Sequence, residues 1–324
     1  MAQASSDAVP RLERRDARAL MAAGGAFAIL FLLALPTFGT AYTQNVLIQM
    51  FTFVALASSW NIISGFTGYM SFGHVAFFGL GAYTYALLVT RAAVAWPLAV
   101  LAGGVLATAL AAAIGLTCLR LHGHYFAIAT LGLGEALRIA VLGWDDVTGG
   151  GNGILLTPVK ELVSSYYGMA LVAALAIGLS WAVARSRFGL SLLAVREGEV
   201  AAGMLGINTT ACKLWAFMLS AVAPGMAGAL HGRFIGFIEP ASIFAVLITV
   251  QMAVFALFGG RGTVSGPILG TCLLFLFQEQ VWARFPYLHL FMFGLVLVLT
   301  VLLMPKGLLG LLQDRGWIAK GVVR

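Results

Sequence analysis

The stretch Gly65–Tyr83 reads GFTGYMSFGHVAFFGLGAY and lies between two long apolar runs. It contains no acidic residue, lysine or arginine, and its glycines alternate with aromatic residues. Backbone without side-chain cover is costly at membrane depth unless other protein or a water-filled path satisfies its N–H and C=O groups. Broken helices beside transport pathways have this character. The stretch therefore predicts an inner element of a polytopic membrane protein; a short loop between tightly packed helices is the alternative.

The composition of the whole chain also indicates a membrane protein. Of its 324 residues, 61% are apolar and only 10% charged, too few charges to cover a soluble domain of this length. Apolar runs of about twenty residues recur, each long enough to cross the hydrocarbon core. We predict an all-α transmembrane helical bundle of about ten spans. They lie near residues 20–38, 45–64, 74–90, 94–119, 124–142, 167–184, 213–237, 241–259, 264–284 and 287–304.

The basic residues orient this bundle. Of the 19 lysines and arginines, fourteen fall in segments that the span pattern places in the cytoplasm, two (Arg138 and Arg233) fall within spans, and three (Arg91, Lys160 and Arg284) fall in external segments. Cytoplasmic loops carry such an excess, so both termini are predicted to be cytoplasmic. Three regions follow: a basic arm at residues 1–18, the transmembrane domain at 19–306 and an amphipathic tail at 307–324. Ten spans with a long polar break after the sixth permit an inverted five-plus-five repeat.

The break after the sixth span, residues 185–213, is the main cytoplasmic segment. Leucines and alanines recur there at helical spacing, while Arg196, Glu197 and Glu199 fall on other faces. An amphipathic helix outside the membrane needs a partner, and the acidic residues argue against simple attachment to anionic lipid. We predict a docking helix for a cytoplasmic subunit, with an ordinary connector as the alternative.

The only long external loop, Gly143–Tyr166, contains the sequence WDDVTGGGNGI. Consecutive glycines predict a turn with free backbone donors that could approach a ligand or a docked protein closely. A plain flexible turn is the alternative. The candidate docking residues of this loop are Thr148, Gly149, Gly150, Asn152 and Gly153.

A translocation path is predicted from polar residues at membrane depth. Glu135 and Arg138 lie three residues apart on the fifth span, so they are expected to pair, either structurally or as a gate beside the path. Ser71, Gly73 and His74 of the break complete the set of path candidates. No metal or nucleotide site is predicted: Cys118, Cys212 and Cys272 lack ligand spacing, and GxxxxGK[ST] does not occur.

Seven stretches of the chain together resemble the permease subunits of bacterial ABC importers for branched-chain amino acids, the LivM type. The likeness keeps its order over nearly the whole chain beyond residue 40. The matching stretches are SFGHVAFFGLGAY (71–83), YFAIATLGLGE (125–135), VTGGGNGI (147–154), RFGLSLLAVREGEVAAGMLGIN (187–208), LWAFMLSAVAPGMAGAL (214–230), FGGRGTVSGP (258–267) and MPKGLLGLL (304–312).

The resemblance implies the permease fold of an ABC importer in the bacterial inner membrane. Its implied partners are a homologous second permease, two cytoplasmic ATPase subunits that bind the ATP, and an external substrate-binding protein. Substrates such as urea, amides or other amino acids remain open, as does a passive channel for a small solute. The resemblance implies that the Arg196–Gly206 stretch is the coupling segment that meets an ATPase. Our predicted coupling residues are Arg187, Gly189, Arg196, Glu197, Ala201, Ala202 and Gly206.

Overall fold

The structure is a computed structural model that describes residues 36, 40–121, 123–156, 162–285, 291, 294–295, 298–299 and 307–314. The chain divides into two units, Met1–Val46 and Leu47–Arg324. In the first unit the described residues are 36 and 40–46, where the first helix begins. Thr40 caps that helix, because its Oγ1 accepts a hydrogen bond of 3.3 Å from the Thr43 amide. Apart from the start of that helix, the features described below belong to the second unit.

Helices form nearly all of the described structure. In chain order they are α1 (Ala41–Trp60), a π-helical turn (Asn61–Gly65), α2 (His74–Ala92), α3 (Trp96–Cys118), α4 (His124–Leu142), α5 (Asp145–Thr148), a 3₁₀ turn (Gly150–Asn152), α6 (Leu162–Arg185), α7 (Arg187–Glu197), α8 (Glu199–Met204), α9 (Thr209–Ile235), α10 (Pro240–Ile243), α11 (Val246–Gly259), α12 (Ser265–Arg284) and α13 (Gly307–Asp314).

Among the described residues, seven helical segments are long and apolar enough to cross a membrane. They coincide with seven of the ten predicted spans. The predicted span at 264–284 is present as α12, whose last turns are too polar for it to join this group. The predicted spans at 20–38 and 287–304 lie almost wholly outside the described residues. The seven segments are Ala41–Gly65, His74–Ala92, Trp96–Cys118, His124–Leu142, Leu162–Arg185, Thr209–Ile235 and Pro240–Gly259.

Helix α9 is the centre of the packing and lies against both α2 and α3. Their backbones approach through small residues. A Cβ atom added to Gly81 would lie 1.9 Å from the carbonyl oxygen of Gly225, and one added to Gly228 would lie 1.9 Å from that of Phe78. Glycine at such positions lets helices without a hydrophobic driving force in lipid gain close van der Waals contact.

Helices α11 and α12 form a second close pair. A Cβ atom at Gly259 would lie 1.7 Å from the carbonyl oxygen of Gly266, and one at Gly270 would lie 2.1 Å from that of Phe255. The first part of the predicted tail, at 307–324, is helix α13, which packs against both α11 and α12; residues 315–324 lie outside the described residues. Its first residue, Gly307, has a φ of +72° and lies against Gly260, so the tail begins on the turn between the two helices.

The all-α prediction has one small exception. Two short strands, β1 (Ile154–Leu155) and β2 (Phe237–Ile238), pair antiparallel with Ile154 opposite Ile238. The ladder forms because Gly236, with a φ of +76°, ends α9 and leaves the next residues extended beside the external loop. The pairing fastens that loop to the end of α9.

Candidate functional site

The break between α1 and α2 is a largely buried element, with Gly68 exposed, in which side chains form hydrogen bonds to the backbone. Trp60 Nε1 donates to the Ser71 carbonyl at 2.8 Å, and the Ser71 amide donates to Ser64 Oγ at 3.2 Å. The Phe72 amide donates to Thr130 Oγ1 of α4 at 3.0 Å. These bonds meet the requirement that non-helical backbone at membrane depth be satisfied by protein. The expectation of an inner rather than a lipid-facing element is met at these residues.

The three path candidates in this break lie inside the protein. Ser71, Gly73 and His74 are all buried, and His74 Nδ1 lies 3.2 Å from Ser71 Oγ. Gly73 packs against Thr130, where a Cβ atom would lie 2.9 Å from the carbonyl oxygen. The His74 ring meets Phe77 edge to face, with centroids 5.7 Å apart. These contacts describe a packed helix start, and a role in translocation stays a prediction.

The other two path candidates, Glu135 and Arg138, form the predicted pair. Arg138 Nε donates to the two carboxylate oxygens of Glu135 at 3.0 and 2.9 Å. The Glu135 side chain is 46% exposed and that of Arg138 is 30% exposed. Only Phe126, Thr130 and Gly134 of α4 are buried among the described residues, so the pair lies on a helix that this chain covers sparsely.

A clamp around the π-helical turn joins three distant parts of the chain. Asn61 Nδ2 donates to the Thr263 carbonyl and Asn61 Oδ1 accepts from the Gly262 amide, both at 2.8 Å. At the end of the same turn, Arg196 Nη1 donates to the Gly65 carbonyl at 3.0 Å. The clamp therefore connects α7, the α1–α2 break and the turn before α12. Burial, and to a smaller extent the nearby Arg261, lowers the pKa of Arg196 below its ordinary value.

A buried charge cluster lies beside this clamp. Lys213 Nζ is 2.5 Å from Glu199 Oε1, and it donates to the Leu119 carbonyl at 3.2 Å. The Tyr69 hydroxyl donates to Glu199 Oε2, and Lys213 Nζ lies 4.7 Å from the centre of the Tyr69 ring. Burial and the Glu199 carboxylate raise the pKa of Tyr69, so its hydroxyl keeps the proton that it donates. The cluster ties α8 to α9 and to the break.

Sequence reasoning missed both the clamp and the cluster. Lys213 is one of the fourteen basic residues in predicted cytoplasmic segments, yet its side chain is 2% exposed. Asn61 and Tyr69 carried no local signal, because their partners lie more than a hundred positions away. Only the presence of Glu199 on the same cytoplasmic segment as Lys213 could have suggested an ion pair.

The predicted docking helix is two helices rather than one. Ser186 caps α7 by accepting a hydrogen bond of 3.0 Å from the Gly189 amide. Gly198, with φ 178° and ψ 110°, adopts an extended conformation that ends α7 and starts α8 in a new direction. The expectation of one docking helix was wrong. The spacing of apolar residues does not indicate where a single glycine adopts an extended conformation and interrupts the helix.

The predicted coupling residues divide between the two sides of this helix pair. Gly189 and Ala202 are buried, and a Cβ atom at Gly189 would lie 2.1 Å from the Val183 carbonyl oxygen. Arg196 is partly buried in the clamp. The remaining four, which are exposed, are Arg187, Glu197, Ala201 and Gly206.

The exposed side of α8 also carries large apolar residues that the sequence did not single out. Met204 is 83% exposed, Leu205 81% and Val200 74%. We call these three residues the apolar knuckle. Large apolar side chains clustered this openly outside a spanning segment are typical of a surface that a partner covers.

The external loop is more ordered than predicted. Its amides are bonded within the loop: Gly149 donates to the Asp145 carbonyl at 3.0 Å and Asn152 to the Gly149 carbonyl at 3.0 Å. Gly150 donates to Thr148 Oγ1 at 3.4 Å, and Gly153 to the Gly150 carbonyl at 3.4 Å. The expectation of free donors at these four amides was wrong, because α5 and the 3₁₀ turn use them. Thr148 and Gly150 are buried, while Asn152 is exposed.

Within the described residues, no group of three or more His, Cys, Asp or Glu side chains is arranged to hold a metal ion. The three cysteines are unbridged and partly buried. The polar side chains described above connect helices to one another. At the break, at the clamp and at the buried cluster they form hydrogen bonds to backbone groups of other segments.

The chain matches one protein-family model, described as branched-chain amino acid transport system / permease component, over residues 42–301. It is 30% identical to the high-affinity branched-chain amino acid transport system permease protein LivM of Escherichia coli K12, in an alignment covering 91% of this chain and 78% of that protein. It is also 30% identical to LivM of Salmonella typhimurium LT2, over 86% and 74% of the two chains.

A more distant similarity covers about half of the chain. The autoinducer 2 import system permease protein LsrC of Yersinia pseudotuberculosis is 28% identical over 49% of this chain and 46% of that protein. No solved structure matches the chain.

Proposed function

The chain belongs to the family of permease components of branched-chain amino acid transport systems, and on that premise we propose that it is the transmembrane permease subunit of an ABC importer. It forms half of the translocation path for branched-chain amino acids. The observation that carries this proposal is the similarity to LivM over 91% of the chain, because it includes all seven of the described apolar spans. The E. coli relative is named for high-affinity transport of these amino acids.

The energy for transport comes from other subunits in this proposal. Two cytoplasmic ATPases bind the ATP, a homologous second permease completes the path, and an external binding protein delivers the substrate. The absence of a GxxxxGK[ST] sequence in the chain is consistent with this division. The permease itself carries no cofactor. Binding and release of substrate then follow from different affinities in the inward-open and outward-open states.

The apolar knuckle supports an ATPase contact at α7 and α8. Exposed Glu197 and Ala201 lie close to it along the chain, and exposed Arg187 lies at the start of α7, so a partner that covers this helix pair would meet both apolar and charged side chains. Arg196, through the clamp, and Glu199, through the buried cluster, tie this surface to the break. A displacement of α8 by the ATPase would therefore be transmitted through these contacts to the break and to the start of α2.

The subunit lies in the bacterial inner membrane with ten spans and both termini in the cytoplasm. The asymmetry of basic residues supports this orientation. In this orientation α7, α8 and α13 lie on the cytoplasmic side of the membrane. The loop around Asn152 lies on the external side, where the binding protein would dock. An inverted five-plus-five repeat fits this count.

The family admits other solutes. The relative LsrC is named for import of autoinducer 2, so a permease for another small polar solute is the second candidate. A passive channel would leave the knuckle without a partner. The deciding experiment reconstitutes the chain with its second permease and ATPases in proteoliposomes. We expect ATP-dependent leucine uptake that requires loaded binding protein. Uptake without ATP, or uptake of other solutes only, would contradict the proposal.

A further inference from the structure

A cavity of about 210 Å³ lies between five helices, α1, α2, α9, α11 and α12. More of its wall is apolar than polar, and we call it the polar cavity because carboxylate and amide side chains also line it. It is smaller than the roughly 300–1,000 Å³ of pockets that hold drug-sized ligands. A second cavity of about 380 Å³, next to α2, α3 and α4, is lined almost wholly by apolar side chains and offers little to a charged ligand. The polar cavity is therefore the better candidate for a small polar solute.

The wall of the polar cavity carries one carboxylate and three amides. Glu279 and Gln278 line it from α12, Gln251 from α11 and Gln49 from α1. Gln278 Oε1 is buried and accepts no hydrogen bond from any described residue. A buried acceptor without a donor costs free energy, so a ligand that supplies N–H groups is favoured at this position. The carboxylate beside it makes a cationic donor the best match.

Other parts of the wall complement the rest of an amino acid. The amide groups of Gln49 and Gln251 can donate N–H bonds to a carboxylate. His231 Nδ1 is buried and finds no partner among the described residues. Phe78, whose ring lies 5.2 Å from that of His231, and Phe275 supply apolar surface.

We infer that this cavity binds a zwitterionic α-amino acid with an apolar side chain. Glu279 and Gln278 Oε1 accept from its ammonium group, Gln251 and Gln49 donate to its carboxylate, and the phenylalanine rings contact its side chain. The inference rests on the proposed function and adds to it a binding site within the permease. Substrate choice is then made twice, once by the external binding protein and once here.

The test measures equilibrium binding of radiolabelled leucine to the purified complex of permeases and ATPases, with the binding protein left out. We expect saturable binding that Glu279→Gln and Gln251→Leu each weaken by about tenfold, the loss of one hydrogen bond to a charged group. Gln280→Leu is the matched control, because Gln280 is exposed on the same helix and does not line the cavity. It should change binding by no more than about twofold.

Competition defines the ligand chemistry. Leucinamide, which lacks the carboxylate, and 4-methylpentanoate, which lacks the ammonium group, should each compete about tenfold or more worse than leucine. The affinity for 4-methylpentanoate should be the same in Glu279→Gln as in the wild type. That variant removes the carboxylate that binds an ammonium group, and 4-methylpentanoate has no ammonium group. Displacement of leucine by ribose as readily as by leucine would overturn the inference.

Other outcomes separate this inference from the proposed function. Lack of saturable binding, or cavity variants that bind like the Gln280→Leu control, would overturn the cavity site while ATP-driven leucine uptake left the proposed function intact. A complete transporter that imports no branched-chain amino acid would refute both. If Gln251→Leu does not assemble by gel filtration, Gln278→Leu takes its place against the same control.

Discussion

Replacing Lys213 by methionine should destabilise the permease substantially. The substitution keeps most of the length of the side chain but removes a charge that is 2% exposed, and it takes away the cation that lies 2.5 Å from the Glu199 carboxylate. Removing one partner of a wholly buried ion pair costs about 3–5 kcal/mol. Glu199 is 21% exposed, so water relieves part of that penalty. We expect a loss of about 2–3 kcal/mol in the free energy of unfolding.

The assay is unfolding by SDS titration of the detergent-solubilised permease, followed by tryptophan fluorescence. The double variant Lys213→Met with Glu199→Gln should regain part of the loss, because it leaves no stranded charge, and the two single variants complete a double-mutant cycle. Arg187→Met is the control, since Arg187 is an exposed cation on α7. A Lys213→Met protein within about 0.5 kcal/mol of wild type would refute the reasoning.

Three further outcomes are expected. Ala201→Trp on the exposed side of α8 should leave the amount of protein in the membrane unchanged but lower both leucine uptake and ATP hydrolysis in proteoliposomes, and normal values of both would remove the docking assignment. Glu135→Ala should reduce expression more than the double change with Arg138→Ala, because the single change leaves an unpaired charge on a spanning helix; a silent single change would show that the pair matters little. A cysteine at Asn152 should react with impermeant maleimide in intact cells and one at Glu197 only after the membrane is opened, and the reverse pattern would invert the topology.

Local pattern was enough for seven of the ten predicted spans. The apolar runs that predicted helices at 74–90 and 124–142 are present as His74–Ala92 and His124–Leu142, because span length follows directly from bilayer thickness. The Glu135–Arg138 pair was equally accessible, since both partners lie on one helix and helical spacing alone brings them together.

Contacts between distant segments could not be found in this way. Asn61 bonds to a turn about two hundred positions later, and no periodicity indicates that meeting. The external loop is a second example. Its glycines predicted a turn with free donors, but Gly149, with a φ of +72°, ends α5 in the left-handed conformation, and the loop amides donate to acceptors within the loop. Contacts between distant segments and the conformation of a loop both depend on tertiary packing, which cannot be derived from the pattern of a single sequence.

The close approach of α2 and α9 at Gly81 and Gly225 constrains how the protein can move. Sliding one helix along the other would drive a carbonyl oxygen into a backbone atom, because no side chain stands between them to deform. We therefore expect α2, α3 and α9 to travel as one rigid block throughout a transport cycle. We expect movement relative to this block at α6 and at the part of α4 beyond its contact with the break, because α4 and α6 are the least buried of the seven apolar segments. The glycine contacts between α2 and α9 therefore define the rigid core of the subunit, and the sparsely covered helices move relative to that core.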